Sequence, residues 1–185
     1  NRHGLHSELG NGQGIFGMLE TGYRHNQADD TDRLPGTYKL GGWWHSGDFD
    51  DFSGGASHNG TQGVYASGEQ MVYREYGDQG LSLFVRVGFA PEDHSEVDYS
   101  FQAGASYVGL IPGRDIDTAT LGLSHAHTSD DLPGRTTETV VEAAYEYVMS
   151  DDFTIQPSVQ WVGDPGATGE LDDALVLGLR VNLSF

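Results

Sequence analysis

Between Leu175 and Phe185 every second residue is apolar. Leu175, Leu177, Leu179, Val181, Leu183 and Phe185 share one parity, and Val176, Gly178, Arg180, Asn182 and Ser184 share the other. A period of two is the period of a strand whose two faces meet different surroundings; a helix would repeat near 3.6. A one-residue slip would turn Arg180 and Asn182 to the apolar side, so the pattern fixes the facing. The same alternation recurs. Leu81, Leu83, Val85, Val87 and Phe89 stand against Ser82, Phe84, Arg86 and Gly88. Over 97–107, Val97, Tyr99, Phe101, Ala103, Ala105 and Tyr107 oppose Asp98, Ser100, Gln102, Gly104 and Ser106. Over 153–161, Phe153, Ile155, Val159 and Trp161 oppose Thr154, Gln156, Ser158 and Gln160, and 139–149 alternates better than it spirals. Weaker strands fit at 15–24, 37–45 and 118–124. A further one at 63–74 puts either Glu69 or Gln70 on the apolar side and therefore predicts a bulge. About nine antiparallel strands and no helix are expected.

Composition agrees. Glycine supplies 27 of 185 residues, about twice its usual ~7% share. Nine Lys and Arg against 28 Asp and Glu leave a formal charge of −19. That balance argues against a nucleic-acid partner, which needs a basic face, and against a polybasic helix on an anionic membrane. The absence of cysteine excludes disulfides, thiolate metal sites and cysteine nucleophiles. No apolar run reaches the ~18–20 residues of a membrane helix, and Asn1 opens without a basic and apolar leader, so either a leader has been removed or the chain is a fragment. The negative mean hydropathy does not argue for solubility, because a membrane β-strand of ~9–11 residues is apolar on one face only.

Connections sort by length. Glu75 to Gln79, Pro112 to Asp117 and Ser150 to Asp152 read as short turns. Ser46 to Gln62, Pro91 to Glu96, Thr128 to Thr136 and Gly163 to Asp173 read as longer loops rich in Gly, Asp, Ser and His. Long loops at one end and short turns at the other is the plan of an outer-membrane barrel; Asn26 to Pro35 departs from it. A soluble β-sandwich also has one apolar face per strand. Three features favour the barrel. Aromatics sit near strand ends (Tyr23, Tyr38, Trp44, Tyr99, Tyr107, Trp161, Phe185). Polar groups occupy the opposite face deep within strands. The last residue is an aromatic that closes an alternating strand.

Several strings in order resemble the carbohydrate-selective porins of the OprB family: Leu34-Pro-Gly-Thr-Tyr-Lys-Leu-Gly-Gly-Trp-Trp-His45, Gly63-Val-Tyr-Ala66, Glu69-Gln-Met-Val-Tyr-Arg74, Gly80-Leu-Ser-Leu-Phe-Val-Arg86, Phe89-Ala-Pro-Glu-Asp93, Leu110-Ile-Pro-Gly-Arg114 and the stretch from Leu171 to Phe185. The resemblance runs from about Gln13 onward. It implies a sixteen-stranded barrel in the outer membrane of a Gram-negative bacterium, often assembled as a homotrimer, that passes glucose and other small hydrophilic solutes by diffusion. Nine strands look like the C-terminal half of such a barrel. The remaining strands would come from an N-terminal half or from other chains, because an isolated half leaves two bare edges in lipid. The chain is thus read as one barrel region over 1–185, with 1–12 as part of an external loop. Two alternatives stay open: a soluble carbohydrate-binding β-sandwich and a small structural outer-membrane barrel with a filled interior.

A porin catalyses nothing; its chemistry is a filter of charged and aromatic groups in the bore. Facing alone nominates Glu20, Arg24, Lys39, Trp43, Phe84, Arg86, Gln102, Glu142, Glu146, Gln156, Gln160, Arg180 and Asn182 as pore-lining, sugar-contacting candidates. Sugars present vicinal hydroxyls to bidentate polar groups and C–H faces to aromatic plates, and Phe84 with Arg86, or Trp43 with Lys39, offer both. Any single one of them reads more readily as ordinary wall in contact with water and its neighbours, the Phe84 and Arg86 pair less so. The aspartate pairs Asp29-Asp30, Asp50-Asp51, Asp130-Asp131, Asp151-Asp152 and Asp172-Asp173 read as solvated loop charge rather than as Ca²⁺ ligands or a glycosidase acid and base. His125-x-His127 permits a metal but lacks a third ligand. Gly12-Gln-Gly-Ile-Phe-Gly17 matches a dinucleotide fingerprint literally, yet a strand follows it where a helix is required. No cofactor or catalytic residue is expected.

Overall fold

The computed structural model describes residues 14–27 and 33–184. Every regular element is a strand: β1 (Phe16–His25), β2 (Gly36–Phe49), β3 (His58–Arg74), β4 (Gly80–Phe89), β5 (Val97–Val108), β6 (Thr118–Thr128), β7 (Thr137–Ser150), β8 (Phe153–Gly163) and β9 (Ala174–Leu183). They form one antiparallel sheet in chain order, each strand paired with the next. β1 and β9 are therefore the edges, and each has one side without a strand partner among the described residues. The expected external-loop segment 1–12, the Asp29-Asp30 pair and Phe185 lie outside the described residues.

Register carries the alternation of single strands across the whole sheet. Leu175 pairs with Trp161, which pairs with Val141, then Leu123, Ala103, Val85, Gly68 and Tyr38 in succession. One face is thus apolar from edge to edge. No described residue covers these rows: Leu19 is 81% exposed, Leu177 79% and Leu179 70%. Only Met71 and Ala167 are buried apolar residues among those described. A sandwich would bury these rows against a second sheet, so the sandwich reading finds no support. The strand-end aromatics Tyr23, Tyr38, Trp44, Tyr99, Tyr107 and Trp161 all stand on this face by register, the placement of interfacial girdles.

The bulge expected in β3 lies between Met71 and Tyr73. Gln70 is the polar residue it leaves on the apolar face. The side chain is satisfied there: Tyr38 Oη donates to Gln70 Oε1 at 2.7 Å, and Nε2 donates to the carbonyls of Leu34, Pro35 and Met71 at 3.2, 3.1 and 2.8 Å.

Two expected boundaries move. The 46–62 loop shrinks to 50–57, because β2 and β3 continue as a ladder through Asp48–Asn59 and Phe49–His58 past a register shift after His45. The β5–β6 connection spans 109–117 rather than 112–117. It is held by Asp117, whose side chain is 1% exposed. Asp117 accepts from Arg114, Tyr145 Oη at 2.8 Å and Val148 N at 2.9 Å. The connections 50–57, 90–96, 129–136 and 164–173 gather at one end of the sheet and 75–79, 109–117 and 151–152 at the other; 75–79 and 151–152 are the expected short turns, whereas 109–117 is as long as the loops of the opposite end.

Candidate functional site: the polar face of the wall

All thirteen nominated residues share the face opposite the apolar rows. The pairings Glu20–Gly41, Lys39–Ser67, Arg86–Gln102, Glu142–Gln160 and Gln156–Arg180 put them there by parity. Arg24 (opposite Thr37), Trp43 (opposite Met18), Glu146 (opposite Thr118) and Asn182 (opposite Thr154) follow the same rule.

They do not form one constellation. A hollow of ≈ 590 Å³ over β1–β5 gathers Glu20, Lys39, Phe84, Arg86 and Gln102. Further along the wall, Gln160 Nε2 donates to Glu142 Oε2 at 2.8 Å and Asn182 Nδ2 to Thr154 Oγ1 at 3.0 Å. Arg24, Trp43, Glu146, Gln156 and Arg180 stand apart from that hollow.

Within the hollow the charges are unevenly matched. Lys39 Nζ lies 3.1 Å from Glu20 Oε1, and Tyr65 Oη donates to Glu20 Oε2 at 2.7 Å. Arg86 lines the same hollow and makes no ion pair among the described residues. Tyr65 and Glu69 also line the hollow, and sequence reasoning missed both. The bulge had left the facing of β3 undecided; the pairing of Gly41 with Tyr65 settles it.

Three aromatic rings on this face lie flat across glycines of the neighbouring strand. A Cβ on Gly63 would sit 2.5 Å from Trp43 Nε1, one on Gly104 would sit 2.6 Å from Phe84 Cε1, and one on Gly41 would overlap the Tyr65 ring. Glycine on one strand is the condition for a ring from the next to lie against the backbone with its other side turned to the interior. For Phe84 the arrangement extends to Gly122, 3.9 Å from the ring in the same sense.

The remaining sequence motifs fall at the loops and on the apolar face. Asp130, Asp151 and Asp172 are exposed in loops or turns, and residues 12–13 of the Gly-rich string are outside the described residues. His125 and His127 stand on the apolar face, bonded to Thr139 Oγ1 at 2.8 Å and Asp98 Oδ1 at 2.6 Å, with Tyr99 stacked 4.6 Å from the His127 ring.

A single antiparallel sheet with a bare apolar face, aromatic ends and a polar, aromatic-studded reverse defines a β-barrel wall of the outer-membrane porin class. The sequence matches the carbohydrate-selective porin, OprB family, over residues 1–185, and the chain belongs to that family. Its members are outer-membrane proteins of Gram-negative bacteria. Porin B of Pseudomonas aeruginosa is 27% identical over 191 aligned residues, covering 83% of this chain and 42% of that protein. The putative porin QuiX of Acinetobacter baylyi is 24% identical, covering all of this chain and 48% of that protein. The high-pH structure of Pseudomonas putida OprB superimposes with a TM-score of 0.85 at 26% identity, over 94% of this chain and 49% of that one. The chain spans about half the length of the relatives it matches.

Proposed function

We propose that this chain forms about half the wall of a sugar-conducting outer-membrane porin, a channel that catalyses no reaction. The observation that carries the reading is the opposition of the two faces: apolar rows open to hydrocarbon, and behind them charged, amide and aromatic side chains over the same strands. In hydrocarbon an unpaired strand edge costs several kcal/mol per polar backbone group. The free sides of β1 and β9 therefore call for further strands, from the rest of the full protein or from other chains. In the closed wall Arg86 offers N–H donors to vicinal hydroxyls while Phe84 and Trp43 offer plates to the C–H faces of a pyranose. A homotrimer is the assembly this reading favours, with lipid around its outer girdle.

The test is liposome swelling with the full-length protein. Glucose should enter and a large oligosaccharide should not. Absence of swelling in glucose, from protein shown to be folded in the bilayer, would overturn the reading in favour of a filled structural barrel.

A further inference from the structure

At the long-loop end, four side chains from two connections converge. His58 opens β3, Asp51 lies in the 50–57 loop, and Asp93 and His94 lie in the 90–96 loop. His58 Nε2 is 3.1 Å from Asp51 Oδ2 and 3.2 Å from Asp93 Oδ2, and the rings of His58 and His94 stack at 4.4 Å. One ligand atom each from His58, Asp93 and His94 lies within 4.8 Å of the other two.

His94 is the telling residue. Its side chain is only 6% exposed, yet neither ring nitrogen has a hydrogen-bond partner. Nδ1 sits 2.6 Å from Asp93 Oδ1, but out of line for a hydrogen bond. A buried imidazole normally satisfies both nitrogens, and leaving one bare costs about 1–3 kcal/mol. An orphaned buried nitrogen beside a second imidazole and a carboxylate is the donor set of a metal site awaiting its ion.

We propose that His58, Asp93 and His94 bind a borderline divalent transition cation of the Zn²⁺ type, which staples the two external loops together. Two imidazoles and one carboxylate suit zinc and disfavour Ca²⁺ and Mg²⁺, which take oxygen ligands. Ligands at ~2.0–2.2 Å from a tetrahedral ion stand ~3.3–3.5 Å apart. The 3.2 Å between His58 Nε2 and Asp93 Oδ2 is close to that edge; His94 and Asp93 must separate slightly. The metal replaces the proton that His58 Nε2 shares with Asp51, and a fourth position is left for water. The loops are already registered, since Phe52 N donates to Asp93 O at 2.8 Å, so the ion meets a preformed seat. The site departs from the expectation of no cofactor because its ligands, His58, Asp93 and His94, are spread over 58–94 in the sequence and carry no spacing signature.

Full-length protein in detergent, stripped with a chelator, is titrated with Zn²⁺ against a chromogenic competitor. One saturable Zn²⁺ per chain is expected, undisturbed by excess Ca²⁺. His58→Ala and His94→Ala should each weaken binding by ~10–100-fold or more, while the double variant His125→Ala, His127→Ala should bind as the parent does. Retained heat-modifiable migration on gels reports an intact barrel. Should His94→Ala fail that control, the partly exposed His58 and Asp93, as His58→Ala and Asp93→Asn, carry the test. No saturable binding, or binding that survives loss of His58 and Asp93 together, overturns the proposal.

Discussion

Arg114 and Asp117, three residues apart in one turn, are joined by two N–H···O bonds of 2.7 Å, Nε to Oδ2 and Nη2 to Oδ1. The same guanidinium donates to Val148 O at 2.7 Å and lies 3.9 Å over the Tyr147 ring. The β5–β6 turn is thereby tied to the end of β7, a strand it does not adjoin in sequence.

Asp117 is buried and each of its acceptor positions is used, so its removal strands Arg114, Tyr145 and Val148 N together. Asp117→Ala should destabilise the folded barrel by about 3 kcal/mol, the scale of breaking a buried pair. Urea titration of the protein folded into lipid vesicles measures it. A loss below about 1 kcal/mol would show that the turn holds without this knot.

Acid should loosen this turn and, at the opposite end of the sheet, the 50–57 loop. The Arg114 bonds, backed by Val148 N and Tyr145, hold the Asp117 carboxyl down to about 2, and Ser53 with His58 does the same for Asp51. A carboxylate whose folded value lies below its unfolded ~3.9 gives stability that is complete above about pH 5 and fades as pH falls through 4 toward 2. The urea midpoint should be flat from neutral pH to about 5 and then decline. Asp117→Asn should start lower and decline less; an equal decline in both proteins would remove Asp117 from the explanation.

The two faces should answer oppositely to the same charge. Leu177→Arg places a guanidinium near the middle of the apolar face and should cost about 2–4 kcal/mol. Gln160→Arg, on the reverse face and opposite the carboxylate of Glu142, should cost no more than about 0.5 kcal/mol. Equal costs in a vesicle-folding titration would mean that both faces meet the same solvent.

Phe84 and Arg86 should matter to a passing sugar more than Lys39, which Glu20 already engages. A stacking plate contributes about 0.5–1.5 kcal/mol, so Phe84→Ala should weaken glucose block of single-channel current by ~2–10-fold. Arg86→Ala should act in the same direction, and Lys39→Ala should change it less. Current fluctuations of the full-length protein in planar bilayers give the values; an unchanged Phe84→Ala block would assign sugar contact elsewhere.

Strand number, order of facing and the bulge near Gln70 were legible because one-sided burial writes a period of two into the chain, and the pairing of successive strands is the simplest topology that satisfies it. What escaped has physical reasons. The outer ends of β2 and β3, around Ser46 and His58, reach past the apolar zone. Small and polar residues such as Ser46, Gly47, Asp48, Asn59, Gly60 and Thr61 occupy both parities there, so the alternation dissolves while the ladder continues. Tyr65 and Glu69 were hidden by the parity change at the bulge. The Arg114–Asp117 knot and the His58–Asp93–His94 cluster depend on which turns approach each other in space. Arg114 stands at the end of a recognisable string, but nothing in that string names Val148 or Tyr145 as its partners.

The bed of glycine beneath Phe84 has an evolutionary corollary. A methyl group gained at Gly104 would touch no passing molecule, yet it would evict the ring and reshape the conduit at that height. Substrate preference in such a wall can therefore drift through positions with no side chain to inspect, and a tally of residues that touch sugar would overlook them.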